Sequence, residues 1–243
     1  MKKLITTLAA GAAAISLMGQ ASAKIPAPEP EDDPGAVHSY ILLDRTGSMS
    51  SIWDEALTSV NAYAASVGEA DEGEIEGDDI KTDVTLAIFD YQDGMQFDVL
   101  RDKVTAENWT NVTNDEANPR GMTPLFDAIG RIVSRAEADN PEKAVIVIMT
   151  DGLENSSREL TRDGAKAALD RAEAKGWEVV FLGAEFARFD DAEAVGVSAS
   201  KTMAVGQGSM RESMSALAKK SRAYGKGEEA EIIFDEEDRA IAD

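Results

Sequence analysis

Residues 40–50 read YILLDRTGSMS: Tyr40, Ile41, Leu42 and Leu43 run without interruption into Asp44, Arg45, Thr46, Gly47 and Ser48. An unbroken apolar run of this length, closed by a glycine turn, reads as a strand buried on both faces in a parallel sheet. A carboxylate and two hydroxyls then follow at alternate positions where the strand ends. Hard oxygen donors on a tight loop at a strand's carboxyl end suit a small divalent cation. The same residues also describe an ordinary strand–turn–helix junction whose Asp and Ser only cap, and the run alone does not separate these readings.

Outward from this run, strands and helices alternate. Ser51 and Asp54 have the spacing of a capping box, and Trp53, Leu57, Val60 and Val67 recur at helical spacing. Residues 69–79 form an acidic, glycine-containing loop that lacks the calcium-loop pattern. Residues 84–89 (VTLAIF) read as a second strand ending at Asp90, and Asp93-Gly94 as a hairpin turn with residues 95–100 as its return. A long polar connection over residues 102–122 leads to Thr123-Pro124. There the Thr123 hydroxyl can cap the next helix or face a ligand, and that helix carries Leu125, Ile129, Ile132 and Val133 on one face. Residues 143–150 (KAVIVIMT) form another buried strand, again followed by an acid, Asp151. A helix over 161–175 closes at Gly176. Strands at 179–182 and 201–205 and a helix over 209–222 complete the pattern of a three-layer α/β domain with a mostly parallel sheet.

Composition narrows the chemistry. The 243 residues hold no cysteine and one histidine, His38. Disulfides, thiolate metal sites, cysteine nucleophiles and multi-histidine zinc sites are therefore excluded. Neither a GxGxxG after a strand nor a GxxxxGK[ST] occurs, so nucleotide sites have no support. A net charge of -22 repels nucleic acid and anionic membrane. Lys2 and Lys3, an apolar stretch and Ala21-Ser22-Ala23 give residues 1–23 the form of a secretory signal peptide cut before Lys24. Stable membrane insertion after that cut is not expected, and the protein is expected in the periplasm or secreted from a bacterium. Residues 24–36, with four prolines and an acidic run, read as a linker. The domain then spans residues 37–224, and residues 225–243 form an acidic tail expected to be weakly ordered.

All parallel strands of such a sheet point their carboxyl ends to one rim. Asp44, Thr46, Ser48, Thr123 and Asp151 converge there as two carboxylates and three hydroxyls, a set suited to Mg²⁺ or Mn²⁺. The chain here resembles the von Willebrand factor A, or integrin I-like, domain family, and especially its bacterial stand-alone members. The family's Asp-x-Ser-x-Ser motif matches Asp44-Arg45-Thr46-Gly47-Ser48, with Thr46 in place of serine. Its separate threonine falls on Thr123 in GMTPLFDAI, and its later aspartate on Asp151 in MTDGLENSS. The resemblance implies strand order 3-2-1-4-5-6 with an antiparallel edge strand. It also implies a metal-ion-dependent adhesion site, at which a protein partner's Asp or Glu completes the coordination of Mg²⁺, with Mn²⁺ or Ca²⁺ as alternatives. No catalytic residue is expected. A metal-dependent hydrolase and a metal-stabilised structural domain are the competing readings. Arg45, Ser50, Asp90 and Glu154 are lesser candidates. Ser50 either supports the site or only caps the helix, and Asp90 is expected to hold its loop through backbone bonds in preference to binding metal. Glu154 lines the rim or, by preference, is solvated, and Arg45 either orients a carboxylate or faces solvent.

Overall fold

The computed structural model describes residues 36–69, 81–184, 190–206 and 208–242. The leader, almost all of the linker and the acidic loop lie outside the described residues. The described residues form six strands, β1 (Val37–Asp44), β2 (Thr82–Tyr91), β3 (Met95–Thr105), β4 (Lys143–Met149), β5 (Glu178–Ala184) and β6 (Thr202–Val205). They form one sheet in the order β3-β2-β1-β4-β5-β6. Only the β2–β3 pairing is antiparallel.

Alternation along β1 divides its side chains between two cores, because successive residues of a strand face opposite sides of the sheet. Val37, Ile41 and Leu43 enter the core beneath α1 (Trp53–Ser66) and α5 (Met210–Lys226). Tyr40 and Leu42 enter the opposite core beneath α2 (Leu125–Asp139) and α3 (Arg162–Ala174). β4 divides in the same way, with Val145 and Val147 on the first side and Ile146 and Ile148 on the second. Each such residue is fully buried, and burying an aliphatic side chain of this size stabilises by roughly 1.5–3 kcal/mol. The parallel register sets Leu43 beside Met149 and Asp44 beside Phe89. Asp44 and the residues that follow β4 therefore reach the same rim.

Several local expectations are corrected. Ser51 and Asp54 form no capping box: residues Gly47–Ser51 are a 3₁₀ turn, and α1 begins after Ile52 without a side-chain cap. The turn runs straight into the helix, leaving Ser51 inside helical backbone instead of at a cap. β3 extends to Thr105, well beyond residue 100, through register irregularities opposite Val84, Leu86 and Ala87. Those irregularities break the two-residue alternation that marks a strand in sequence. Residues 225–242 are ordered. Beyond a short α4 (Asp190–Ala194), α5 continues to Lys226, α6 spans Glu236–Ala242, and Ile232 and Phe234 are buried in the first core. The Ile232 amide donates to Glu178 Oε2 (2.9 Å), the Phe234 amide to the Ser200 carbonyl (2.8 Å), and the Gly206 amide to the Ala242 carbonyl.

Candidate metal centre

Five expected residues meet at the rim from three separate segments. The Thr46 amide donates to Asp44 Oδ1 (2.7 Å), which folds the loop after β1 back over its own carboxylate. Thr123 Oγ1 donates to Thr46 Oγ1 (3.2 Å), Thr46 and Ser48 hydroxyls lie 3.2 Å apart, and Ser48 Oγ donates to Asp151 Oδ1 (2.7 Å). One direction of donation satisfies them all: Thr123 to Thr46 to Ser48 to Asp151. Asp44, Thr46, Thr123 and Asp151 are buried, while Ser48 is exposed at the surface of the cluster. Thr123 does not cap α2. Pro124 occupies the cap of α2 with no side-chain cap bond, and the Thr123 hydroxyl faces the cluster.

The oxygens crowd a common space. A Cβ at Gly152 would lie 3.2 Å from Thr123 Oγ1, 3.3 Å from Ser48 Oγ and 3.9 Å from Asp44 Oδ2. Asp151 Oδ2 is buried without a hydrogen-bond partner. A buried carboxylate oxygen left unpaired is costly, and a cation at the cluster would satisfy it. The donor set consists of two carboxylates and hydroxyls, all hard oxygens that fit Mg²⁺ or Mn²⁺. Among the described residues no three His, Cys, Asp or Glu come together. Any cation at the rim would therefore rely on hydroxyls as well as the two acids.

Burial raises Asp44 to about 6 from its ordinary 3.8; bonds from Thr150 and Thr46 oppose this, and the Asp151 charge adds to it. Burial raises Asp151 as well. Between pH 4 and 6 the folded chain thus keeps a proton on Asp44 that the unfolded chain has lost, so metal-free stability falls as pH rises through that window. Relative to Asp44→Asn, the wild type in chelator is expected to lose on the order of 1–3 kcal/mol between pH 4 and 6.5. Saturating Mg²⁺ should cancel the loss. Urea titrations of both proteins across this range, with and without the ion, measure it.

Three supporting residues are not evident from the sequence. Thr150 Oγ1 donates to Asp44 Oδ2 (2.7 Å), yet a threonine ending an apolar strand reads as an ordinary strand former. Asp127, buried in α2, accepts the amides of Arg158, Glu159 and Leu160 and straps the loop after Asp151 to that helix. Glu154 is not a solvated rim residue. It accepts the Phe126 amide at the start of α2 and the amides of Ser156 and Ser157. Arg45 proves to be an orienting group: it is buried, and it donates to Asp90 and to Asp98 (2.7 Å). Asp90 holds the loops through these side-chain bonds and through Arg120 Nε (3.2 Å), instead of through the backbone bonds expected. Ser50 is exposed, and its hydroxyl donates to the Gly47 carbonyl (2.7 Å).

A six-stranded three-layer sheet with a polar oxygen cluster at its carboxyl rim defines a class of fold, and solved structures place the chain within it. It has the von Willebrand factor A, integrin I-like fold. It superposes on manganese-loaded TRAP protein of Plasmodium vivax with a TM-score of 0.56 at 15% identity, covering 78% of this chain and 74% of that one. The PilB minor pilin of Streptococcus sanguinis gives 0.55 at 12% identity, covering 80% of this chain and 63% of the pilin. The vWF domain of the type V pili tip protein Mfa5 of Porphyromonas gingivalis gives 0.53 at 12% identity, covering 76% and 94%. More than a third of the pilin therefore has no counterpart here. No family model and no curated protein matches the sequence.

Proposed function

We propose that this chain is a noncatalytic, divalent-cation-dependent protein-binding domain working outside the cytoplasm. Asp44, Thr46, Ser48, Thr123 and Asp151 hold a Mg²⁺, with Mn²⁺ or Ca²⁺ as alternatives, and a partner protein supplies an Asp or Glu carboxylate. The observation that carries this reading is the meeting of five oxygen-bearing side chains from three segments, one of them Asp151, whose Oδ2 is buried and unpartnered. When bound, the cation supplies Lewis-acid attraction for an incoming carboxylate. The chain's own part is positional: Thr46, Ser48 and Thr123 offer neutral oxygens. With only two acids the protein supplies no more negative charge than a divalent ion carries, and an incoming carboxylate meets no excess of like charge at the cluster. Exposure of Ser48 leaves the cluster open to a partner.

A hydrolase would need a general base near the cluster. The single histidine, His38, lies at the opposite end of β1 and bonds Asp83 (3.0 Å). Fold likeness to a manganese-loaded protein, a minor pilin and a pilus tip domain adds support for a binding role. The leader-like residues 1–23 support a periplasmic or secreted location. Among the described residues no helix is long and apolar enough to cross a membrane.

Immobilised protein exposed to an envelope extract of the source cell is expected to retain a specific partner in Mg²⁺. Chelator or Asp44→Ala should release it without unfolding the domain. Retention that survives both treatments contradicts the reading, as does Mg²⁺-dependent turnover of peptides or phosphoesters.

A further inference from the structure

The loops that bring Thr123 and Asp151 to the rim also expose apolar side chains. Met122, beside Thr123, is 48% exposed, and Leu153, two residues beyond Asp151, is 42% exposed. Only three other large hydrophobic residues are exposed among the described residues: Val99 on β3, and Ile233 and Ile241 in the C-terminal segment. A lone surface leucine or methionine needs no explanation. These two differ in being held on backbones that are fixed to one another and to the cluster.

Met122 and Tyr91 exchange both backbone hydrogen bonds, at 3.1 and 2.9 Å. The preceding Gly121 has φ +71°, and a Cβ there would meet the Tyr91 carbonyl oxygen at 2.6 Å, so the turn accepts only glycine. On the other side, the Asn155 amide donates to the Thr123 carbonyl (3.0 Å), and Asn155 Oδ1 accepts the Thr123 amide (2.9 Å). Residues 121–123 and 153–155 are thus clipped side by side, with the Thr123 hydroxyl turned into the cluster. The same shoulder carries positive charge in a chain of 46 acids and 24 bases. The Arg120 side chain is 44% exposed, and the exposed Arg158 stacks over the Tyr91 ring at 4.8 Å.

We propose that Met122 and Leu153 form an apolar shoulder that selects a peptide segment in which a single Asp or Glu is flanked by bulky apolar residues. This rests on the carboxylate-binding reading above. Covering the shoulder excludes water around the carboxylate contact, which strengthens its electrostatics and confines it to a dry centre. Methionine adapts its shape to different apolar neighbours. Arg120 and Arg158 favour one approaching carboxylate, whereas the overall charge of -22 opposes an acid-rich segment.

Two labelled peptides, acetyl-Gly-Gly-Asp-Gly-Gly-amide and acetyl-Gly-Leu-Asp-Leu-Gly-amide, test this by fluorescence anisotropy in Mg²⁺ and in chelator. Wild type is expected to prefer the leucine-flanked peptide by about tenfold or more. The Met122→Ser/Leu153→Ser variant should lose that preference yet keep wild-type Mg²⁺ affinity and melting temperature. Equal binding of the two peptides, or a preference that persists in the double variant, overturns the shoulder while leaving the cation site standing. Failure of both peptides to bind wild type in a Mg²⁺-dependent way overturns both proposals.

Discussion

Asp90→Ala is expected to destabilise the protein by about 3–5 kcal/mol, the cost of leaving one partner of a buried ion pair behind. Asp90 is fully buried and Arg45 is 5% exposed. Arg45 Nε and Arg120 Nε both donate to Asp90 Oδ2. Without that carboxylate, the Arg45 guanidinium keeps only Asp98, whose side chain is 51% exposed and therefore a weak partner. The damage should spread to the rim, because Arg45 lies between Asp44 and Thr46 and its carbonyl accepts the Arg120 amide (2.8 Å). Asp98→Ala should cost under about 1 kcal/mol, and the apolar pair Arg45→Met/Asp90→Leu should recover much of the loss. Chemical denaturation of the three variants provides the comparison. A loss below about 1 kcal/mol for Asp90→Ala would mean that the pair contributes no more than a surface bridge.

Phe234→Ala is expected to cost a similar amount, about 3–5 kcal/mol, through a cavity between the C-terminal segment and the first core. Ile232 and Phe234 are buried, whereas Ile233 between them is 43% exposed. Ile233→Ala should therefore fall within about 1 kcal/mol of wild type. The segment is also held by charge: Glu178, which accepts the Ile232 amide, pairs with Lys201 (2.9 Å), and Asp238 in α6 pairs with Lys220 (3.0 Å). Equal, small losses for the two variants would indicate that residues 225–242 fray in solution.

These two sites also show where sequence patterns lose their reach. β1 and β4 are legible because a strand buried on both faces carries apolar residues at successive positions, and runs of four (residues 40–43) and six (residues 144–149) bounded by turn residues are hard to mistake. The rim residues Asp44, Thr46 and Ser48 are legible because their spacing is local. Thr123 and Asp151 join them through strand-end logic and the family resemblance. Ile232 and Phe234 are too short a pattern to mark an element, and Glu178, which accepts the Ile232 amide, lies 54 residues away. Asp127 looks like one more polar residue on a helix until the amides some 30 residues onward close around it. Thr150 hides for the opposite reason: it fits its strand so well that nothing signals its bond to Asp44. The second half of β3 was obscured by its own irregular register. Most of what escapes is a partnership made at long range, although the local capping-box pattern at Ser51 and Asp54 fails as well, because a 3₁₀ turn runs straight into α1.

Calorimetric titration with Mg²⁺ at pH 7.5 tests most directly whether the rim oxygens hold a cation. Wild type is expected to bind one ion per chain. Asp44→Asn should abolish that event, and Thr123→Val, which keeps the shape and removes the hydroxyl, should weaken it by about tenfold or more, as loss of one oxygen ligand implies. Unchanged stoichiometry and affinity in Asp44→Asn would place the ion on the acidic surface and contradict the account.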